Sequence, residues 1–207
     1  ILKKYSLAIA DFNQAIQITP DGYRAYYNRG NSQFELGEYY SAIKDYNISI
    51  QLKPDSSNAY FNRGIANSNN QNFQSAIKDF SQVIKLQPNN PNAYYNRAVV
   101  KSEGLDDIKG AINDFTKAIY LNSEYYQSYN NRGKLRLLLG DYAKAIDDFN
   151  SAININPNYT LAYYNRGVVK HETGEIGEAC KDYSFARSIS DKTLSNAISM
   201  TINFWCN

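Results

Sequence analysis

Histidine occurs once in the 207 residues and cysteine twice, and no apolar run approaches the eighteen or so residues that a membrane-spanning helix needs. The lone histidine, His171, has no acidic or cysteine neighbours at ligand spacing, so its ordinary reading is a solvated side chain and not a metal ligand. Charge of one sign is lacking too. The chain carries 22 basic and 20 acidic residues, interspersed, for a net charge of +2. Nucleic-acid and membrane-surface binding need a clustered basic patch, which this balance argues against. No nucleophile–base pairing, Gly-rich phosphate loop or carboxylate pair stands out, so neither an enzymatic activity nor a cofactor is expected.

What is present in abundance is repetition. The stretch 25–54, AYYNRGNSQFELGEYYSAIKDYNISIQLKP, recurs along the chain. The arginine of its NRG triplet returns as Arg29, Arg63, Arg97, Arg132 and Arg166, at separations of 34, 34, 35 and 34 residues. An aspartate before an aromatic returns as Asp11, Asp45, Asp79, Asp114, Asp148 and Asp182 with the same spacing. A fixed period in this range signals stacked supersecondary units. Each unit reads as two helices, about 23–36 and 39–53 in the first complete copy, with Gly37 ending one and Pro54 stopping the other. Small residues at Gly30, Gly64, Ala98, Gly133 and Gly167 face small residues at Ala42, Ala76, Ala111, Ala145 and Ala179, which lets the two helices cross closely. Large rings fill around that crossing, among them Tyr46, Phe80, Phe115, Phe149 and Tyr183.

This order of small residue, aromatic, Gly, then Ala-x3-aromatic, then Pro resembles the tetratricopeptide repeat family, over nearly the whole chain. The resemblance implies an all-α fold, a right-handed superhelix (an α-α solenoid) of helix-turn-helix repeats of 34 residues, here with twelve helices. The expected units are 1–22 (the second helix of a truncated repeat), 23–56, 57–90, 91–125, 126–159, 160–193 and a capping helix at 194–207. The extra residue of the third unit falls in the hairpin turn near 103–108, where insertions bury little. The second unit has Asn69, Asn70, Gln71 and Asn72 in place of a turn glycine, and an Asn is expected to take the left-handed conformation. Leu194, Ala197, Ile198, Ile202 and Trp205 share one face at helical spacing and would cover the last repeat. Because the chain opens at Ile1 within a unit, a fragment of a longer protein is expected, so the absence of a leader is uninformative. The AC-x-D near Cys180 and the closing Cys206 resemble the tails of bacterial members, which places Asn207 near a natural end. Cys180 stands where other units have Ile; it reads either as a buried apolar thiol or, in an oxidising compartment, as one half of a disulfide with Cys206.

The arginine is the main departure from the family pattern, which has a large apolar residue there. A charge on the core side needs a partner. Helical angles favour pairs between successive units: Asp11–Arg29, Asp45–Arg63, Asp79–Arg97, Asp114–Arg132 and Asp148–Arg166. The alternative is an anionic ligand. The residue before each arginine (Asn28, Asn62, Asn96, Asn131, Asn165) occupies the position that looks into the family's concave groove, and a row of carboxamides there resembles the asparagine ladder that holds an extended peptide by its backbone. Neighbouring groove positions hold Asn31, Ile65, Val99, Lys134 and Val168, with Arg24, Asn58, Asn92, Gln127 and Leu161 nearby. The carboxylate clamp of co-chaperone members is absent, since Tyr27 or Phe61 stands where Lys is required. The expectation is a non-catalytic protein-interaction scaffold whose groove takes a peptide or protein segment. A substrate-recruiting arm of a larger enzyme and a structural subunit of an assembly are the alternatives.

Overall fold

The structure is a computed structural model that describes residues 2–206, Leu2 through its backbone alone; the expectations that fall on Ile1 and Asn207 lie outside the described residues. Among the described residues there are twelve helices and no strand. They are α1 (Leu2–Ile18), α2 (Tyr23–Glu35), α3 (Tyr39–Leu52), α4 (Ser57–Asn69), α5 (Phe73–Leu86), α6 (Pro91–Gly104), α7 (Ile108–Leu121), α8 (Tyr126–Leu138), α9 (Tyr142–Ile155), α10 (Thr160–Glu172), α11 (Ile176–Ser188) and α12 (Lys192–Trp205). They form two compact units, one ending at Asp114 and the other beginning at Phe115, so the division falls inside α7. The first unit holds the hairpins α2–α3 and α4–α5. The second holds α8–α9 and α10–α11, closed by α12.

Four hairpins are built on the close crossing of a glycine and a ring; in the third repeat Ala98 takes the glycine's place. A Cβ added to Gly30 would lie 2.9 Å from the Tyr46 ring, one on Gly133 2.8 Å from Phe149, and one on Gly167 2.6 Å from Tyr183. The rings at Tyr46, Phe80, Phe115, Phe149 and Tyr183 are all but sealed from solvent, as are the alanines four residues before them. Burying each ring contributes about 2–3 kcal/mol of transfer free energy, so these rings anchor their hairpins.

The turns follow from the residues available at them. Gly37, Gly140 and Gly174 take the left-handed conformation that ends a first helix, with φ of +78°, +75° and +85°. In the glycine-less second repeat it is Gln71, at φ 60°, that adopts it, not one of the asparagines expected to. Position decides this. Gln71 sits where the chain must reverse, and the next N–H (Asn72) closes onto Asn67 O at 2.7 Å. The extra residue before α7 is absorbed the same way. Asp106 turns left-handed, and Asp107 N–H reaches back six residues to Lys101 O, where Glu38 reaches back five to Gln33 O.

Second helices stop because the residue before proline cannot stay helical. Lys53, Gln87 and Asn156 swing to φ near −130° to −140° ahead of Pro54, Pro88 and Pro157. Ser123 replaces the proline after α7, yet Asn122 N–H still closes on Ala118 O at 2.9 Å, and the Asn122 side chain accepts from Glu124 N–H at 3.0 Å.

The last helix covers the α10–α11 hairpin. Asp191 caps it by accepting from Leu194 N–H at 2.9 Å. Ile198 is buried against Ala179, Tyr183 and Ala186, with Leu194 and Ile202 beside it. A disulfide joins Cys180 of α11 to Cys206, with Cα atoms 5.8 Å apart, so Cys180 is not a free apolar thiol. His171 is partly exposed, and its ring centroid lies 4.1 Å from that of Trp205. Ala197 and Trp205, expected on the covered face, remain exposed.

Candidate functional site

The five repeated arginines, four in NRG and Arg97 in NRA, are consumed by the fold in a way that differs from the expected pairing. Arg29 Nε and Nη2 donate to Asp45 Oδ2 and Oδ1, both at 2.7 Å. Arg63 pairs likewise with Asp79, Arg97 with Asp114, Arg132 with Asp148 and Arg166 with Asp182. Every pair lies within one hairpin, which replaces the pairs expected between units, Asp11–Arg29, Asp45–Arg63, Asp79–Arg97, Asp114–Arg132 and Asp148–Arg166. The physical reason is helical geometry. Asp45 follows Ala42 by three residues, so it sits only about 60° from it around the axis, on the flank that meets the partner helix.

The residue two beyond the aspartate turns the other way and supplies the link between repeats. Arg29 Nη1 donates to Asn13 at 2.7 Å, Arg63 to Asn47 at 2.7 Å, Arg97 to Ser81 at 2.9 Å, Arg132 to Thr116 at 3.0 Å and Arg166 to Asn150 at 2.7 Å. One guanidinium thus clamps its own hairpin and the helix before it. Each also lies 5.3–5.7 Å above the ring of the tyrosine three residues earlier. The bonds from Asp45 and Asp182 raise the pKa of Arg29 and Arg166 against the opposing effect of burial. With these arms occupied inside the fold, the arginines serve the scaffold and do not favour an anionic ligand.

The asparagine row is not a ladder of free amides. Asn62 Nδ2 donates to Tyr27 OH at 3.0 Å and Asn31 Oδ1 at 2.9 Å. Asn96 Nδ2 turns back to its own helix, donating to Asn92 O at 2.8 Å. Asn165 Nδ2 donates to Asn130 Oδ1 at 2.9 Å, and Asn130 Nδ2 donates to Asn131 Oδ1 at 3.2 Å. Asn28 is exposed on α2. A carboxamide beside a hydroxyl or another carboxamide on the adjacent first helix bonds to it, so Asn62 and Asn165 are held by side chains outside the row.

The remaining groove positions divide by unit. In the first unit, Asn31, Phe34, Glu35, Tyr46, Asn62 and Ile65 line a cavity of about 390 Å³ between α2 and α4. Its floor is the buried Tyr46 ring, whose hydroxyl donates to Asn31 Oδ1 at 2.9 Å. Burial raises the pKa of that phenol. Ile65 packs on the core around Phe80, and Val99 is half-buried on α6. In the second unit, a cavity of about 280 Å³ is lined by α8, α10 and α12, with Asn131, Lys134, Leu161 and Asn165 among its walls. Val168 packs on the core around Tyr183.

Sequence reasoning missed Phe34, Glu35 and Asn130. Phe34 and Glu35 lie three and four residues after Asn31, on the same face, and that spacing was the available signal. Asn130 stands where Tyr27, Phe61, Tyr95 and Tyr164 stand in other repeats, so its break in the pattern marked it. Among the described residues, no group of three or more His, Cys, Asp and Glu could hold a metal ion, and no helix is long and apolar enough to cross a membrane.

Stacked helix hairpins with glycine–ring crossings, each clamped by a repeated buried pair, define an all-α repeat solenoid. Family models agree: those described as TPR repeat match residues 1–37 and 136–174, and those described as tetratricopeptide repeat match 23–56, 57–90 and 91–125. The chain belongs to the tetratricopeptide repeat family. Among solved structures it is similar to a MamA protein, with 23% identity and a TM-score of 0.74 over 84% of this chain and 94% of that one. It is also similar to MamA from Desulfovibrio magneticus RS-1, with 17% identity and a TM-score of 0.75 over 81% and 94%. YrrB, described as a TPR protein with an unusual peptide-binding site, aligns with 20% identity and a TM-score of 0.71 over 91% and 97%. These likenesses establish the fold. None of the curated proteins matches the sequence.

Proposed function

We propose that the chain is a non-catalytic interaction module that binds an extended segment of another protein on the first-helix surfaces of its repeats. The observation that carries this is the cavity between α2 and α4, which combines apolar walls (Phe34, Tyr46, Ile65) with carboxamides in contact with solvent. Apolar walls with a few placed polar groups are what ligand sites are made of. The description of YrrB as peptide-binding supports the reading through a shared fold. The buried arginine clamps support it from the other side, since they hold the helices rigid and leave the surface between them for recognition.

The test is selection of a random heptapeptide display library on the immobilised protein, followed by titration of the selected peptides. Ile65→Lys should weaken them by about tenfold or more, because it puts a charge in the apolar wall. Lys78→Ala, on an exposed part of α5 away from that cavity, should leave them unchanged. Peptides indifferent to Ile65→Lys would overturn the placement of the site.

A further inference from the structure

The cavity between α2 and α4 has a polarity of its own, and the ligand class that this polarity selects rests on the peptide-binding function proposed for these surfaces. Asn31 Oδ1 accepts two bonds, from Tyr46 OH and from Asn62 Nδ2. Its amide nitrogen donates to no described residue and faces the cavity as a donor. Asn62 spends its nitrogen on Tyr27 OH and Asn31 Oδ1, which leaves its own Oδ1 as an acceptor. The internal bonds that remove Asn62 from a simple ladder therefore orient one free donor beside one free acceptor. A peptide unit presents the complementary pair, a C=O and an N–H.

Charge supplies the second half. Glu35 is the one charged residue lining this cavity; it is exposed and forms no ion pair among the described residues. In the second unit the cavity under α12 has Lys134 as its one charged lining residue. The two units thus offer similar carboxamide-and-apolar walls with opposite charges at the rim.

We propose that the first-unit cavity takes an extended segment in which a large aliphatic or aromatic side chain adjoins a Lys or Arg. The apolar side chain seats against Phe34, Tyr46 and Ile65. The adjoining peptide unit bonds to the Asn31 amide and the Asn62 carbonyl, and the basic side chain meets the Glu35 carboxylate.

The heptapeptides selected on the wild-type protein are the probes. They are synthesised as such and with each Lys or Arg changed to Glu, then titrated against wild type, Glu35→Lys, Lys134→Glu and Lys78→Ala, each checked for wild-type helicity. The expected result is enrichment of an apolar residue beside Lys or Arg. Affinity should fall about fivefold or more in Glu35→Lys, since an attraction worth up to about 1 kcal/mol becomes a repulsion. The Glu-substituted peptides should regain affinity for Glu35→Lys, and Lys78→Ala should leave the original peptides unchanged. Selected peptides without basic residues, or bound equally by Glu35→Lys, overturn this inference while the peptide-binding reading stands. Loss of binding in Lys134→Glu alone moves the site to the second unit and overturns it as well. A library that yields no binders overturns both.

Discussion

The hairpins α2–α3 and α4–α5 contrast with α8–α9 and α10–α11 at the position four residues after the clamp arginine. In the first pair it is an amide, Gln33 or Asn67; in the second it is a cation, Arg136 or Lys170. Asn67 donates to Asp79 at 2.9 Å, whereas Arg136 and Lys170 pair with Asp148 and Asp182 at 2.8 and 2.9 Å. A single aspartate, with side-chain exposure of 3–8%, therefore balances one cation in the early hairpins and two in the late ones. The repeat dictates the pair, and a variable position one turn away sets the net charge of the buried cluster.

Removing the aspartate should break this comparison most sharply. Asp148→Asn leaves Arg132 and Arg136 facing each other, with an expected loss of about 4–5 kcal/mol. Asp45→Asn strands only Arg29, with an expected loss of about 3 kcal/mol. Urea unfolding of the two variants measures the difference, and equal losses would mean that Arg136 swings into solvent.

The second contrast is between hairpins with and without a covalent tie. Among the described residues only α10–α11 and α12 carry such a tie, the Cys180–Cys206 bond, whose cysteines lie 26 residues apart. Reduction should cost about 3 kcal/mol in the segment it closes. Hydrogen exchange with and without reductant should show faster exchange across α12 and no change across α2–α3.

Next come the crossings. Gly167→Ala drives a methyl group to within 2.6 Å of the Tyr183 ring and should cost about 1–3 kcal/mol. The third repeat already has Ala98 there, fully buried, and Ala98→Gly should cost less, about 1 kcal/mol, from lost burial and helix propensity. Thermal unfolding of both variants tests the order.

The last contrast concerns pH. Burial raises the Tyr183 phenol from 10.0 to about 12. A folded-state pKa above the unfolded one favours the neutral phenol in the fold. The stabilisation is complete below pH 10 and is lost as pH rises to about 12. Burial raises Tyr46 as well, so phenolate absorbance should show late-titrating tyrosines, one of which disappears in Tyr183→Phe together with part of the alkaline loss of stability.

The repeat made most of the fold legible in advance. Glycine and alanine in register with buried rings, a left-handed residue between helices and an extended residue before proline are local requirements, and local requirements leave sequence signatures. Phe34 and Glu35 were legible in principle, since i, i+3 and i+4 share a helical face. Two things were decided only by the tertiary structure. The first is which aspartate each arginine takes. A guanidinium on a long stem can reach the aspartate of its own hairpin or of the preceding helix, and a difference of some tens of degrees around a helix axis selects between them. The second is what the carboxamides do. Asn31 and Asn62 are 31 residues apart and meet only when α2 and α4 stack, and that meeting fixes which half of each amide is spent inside the protein and which half is left for a partner.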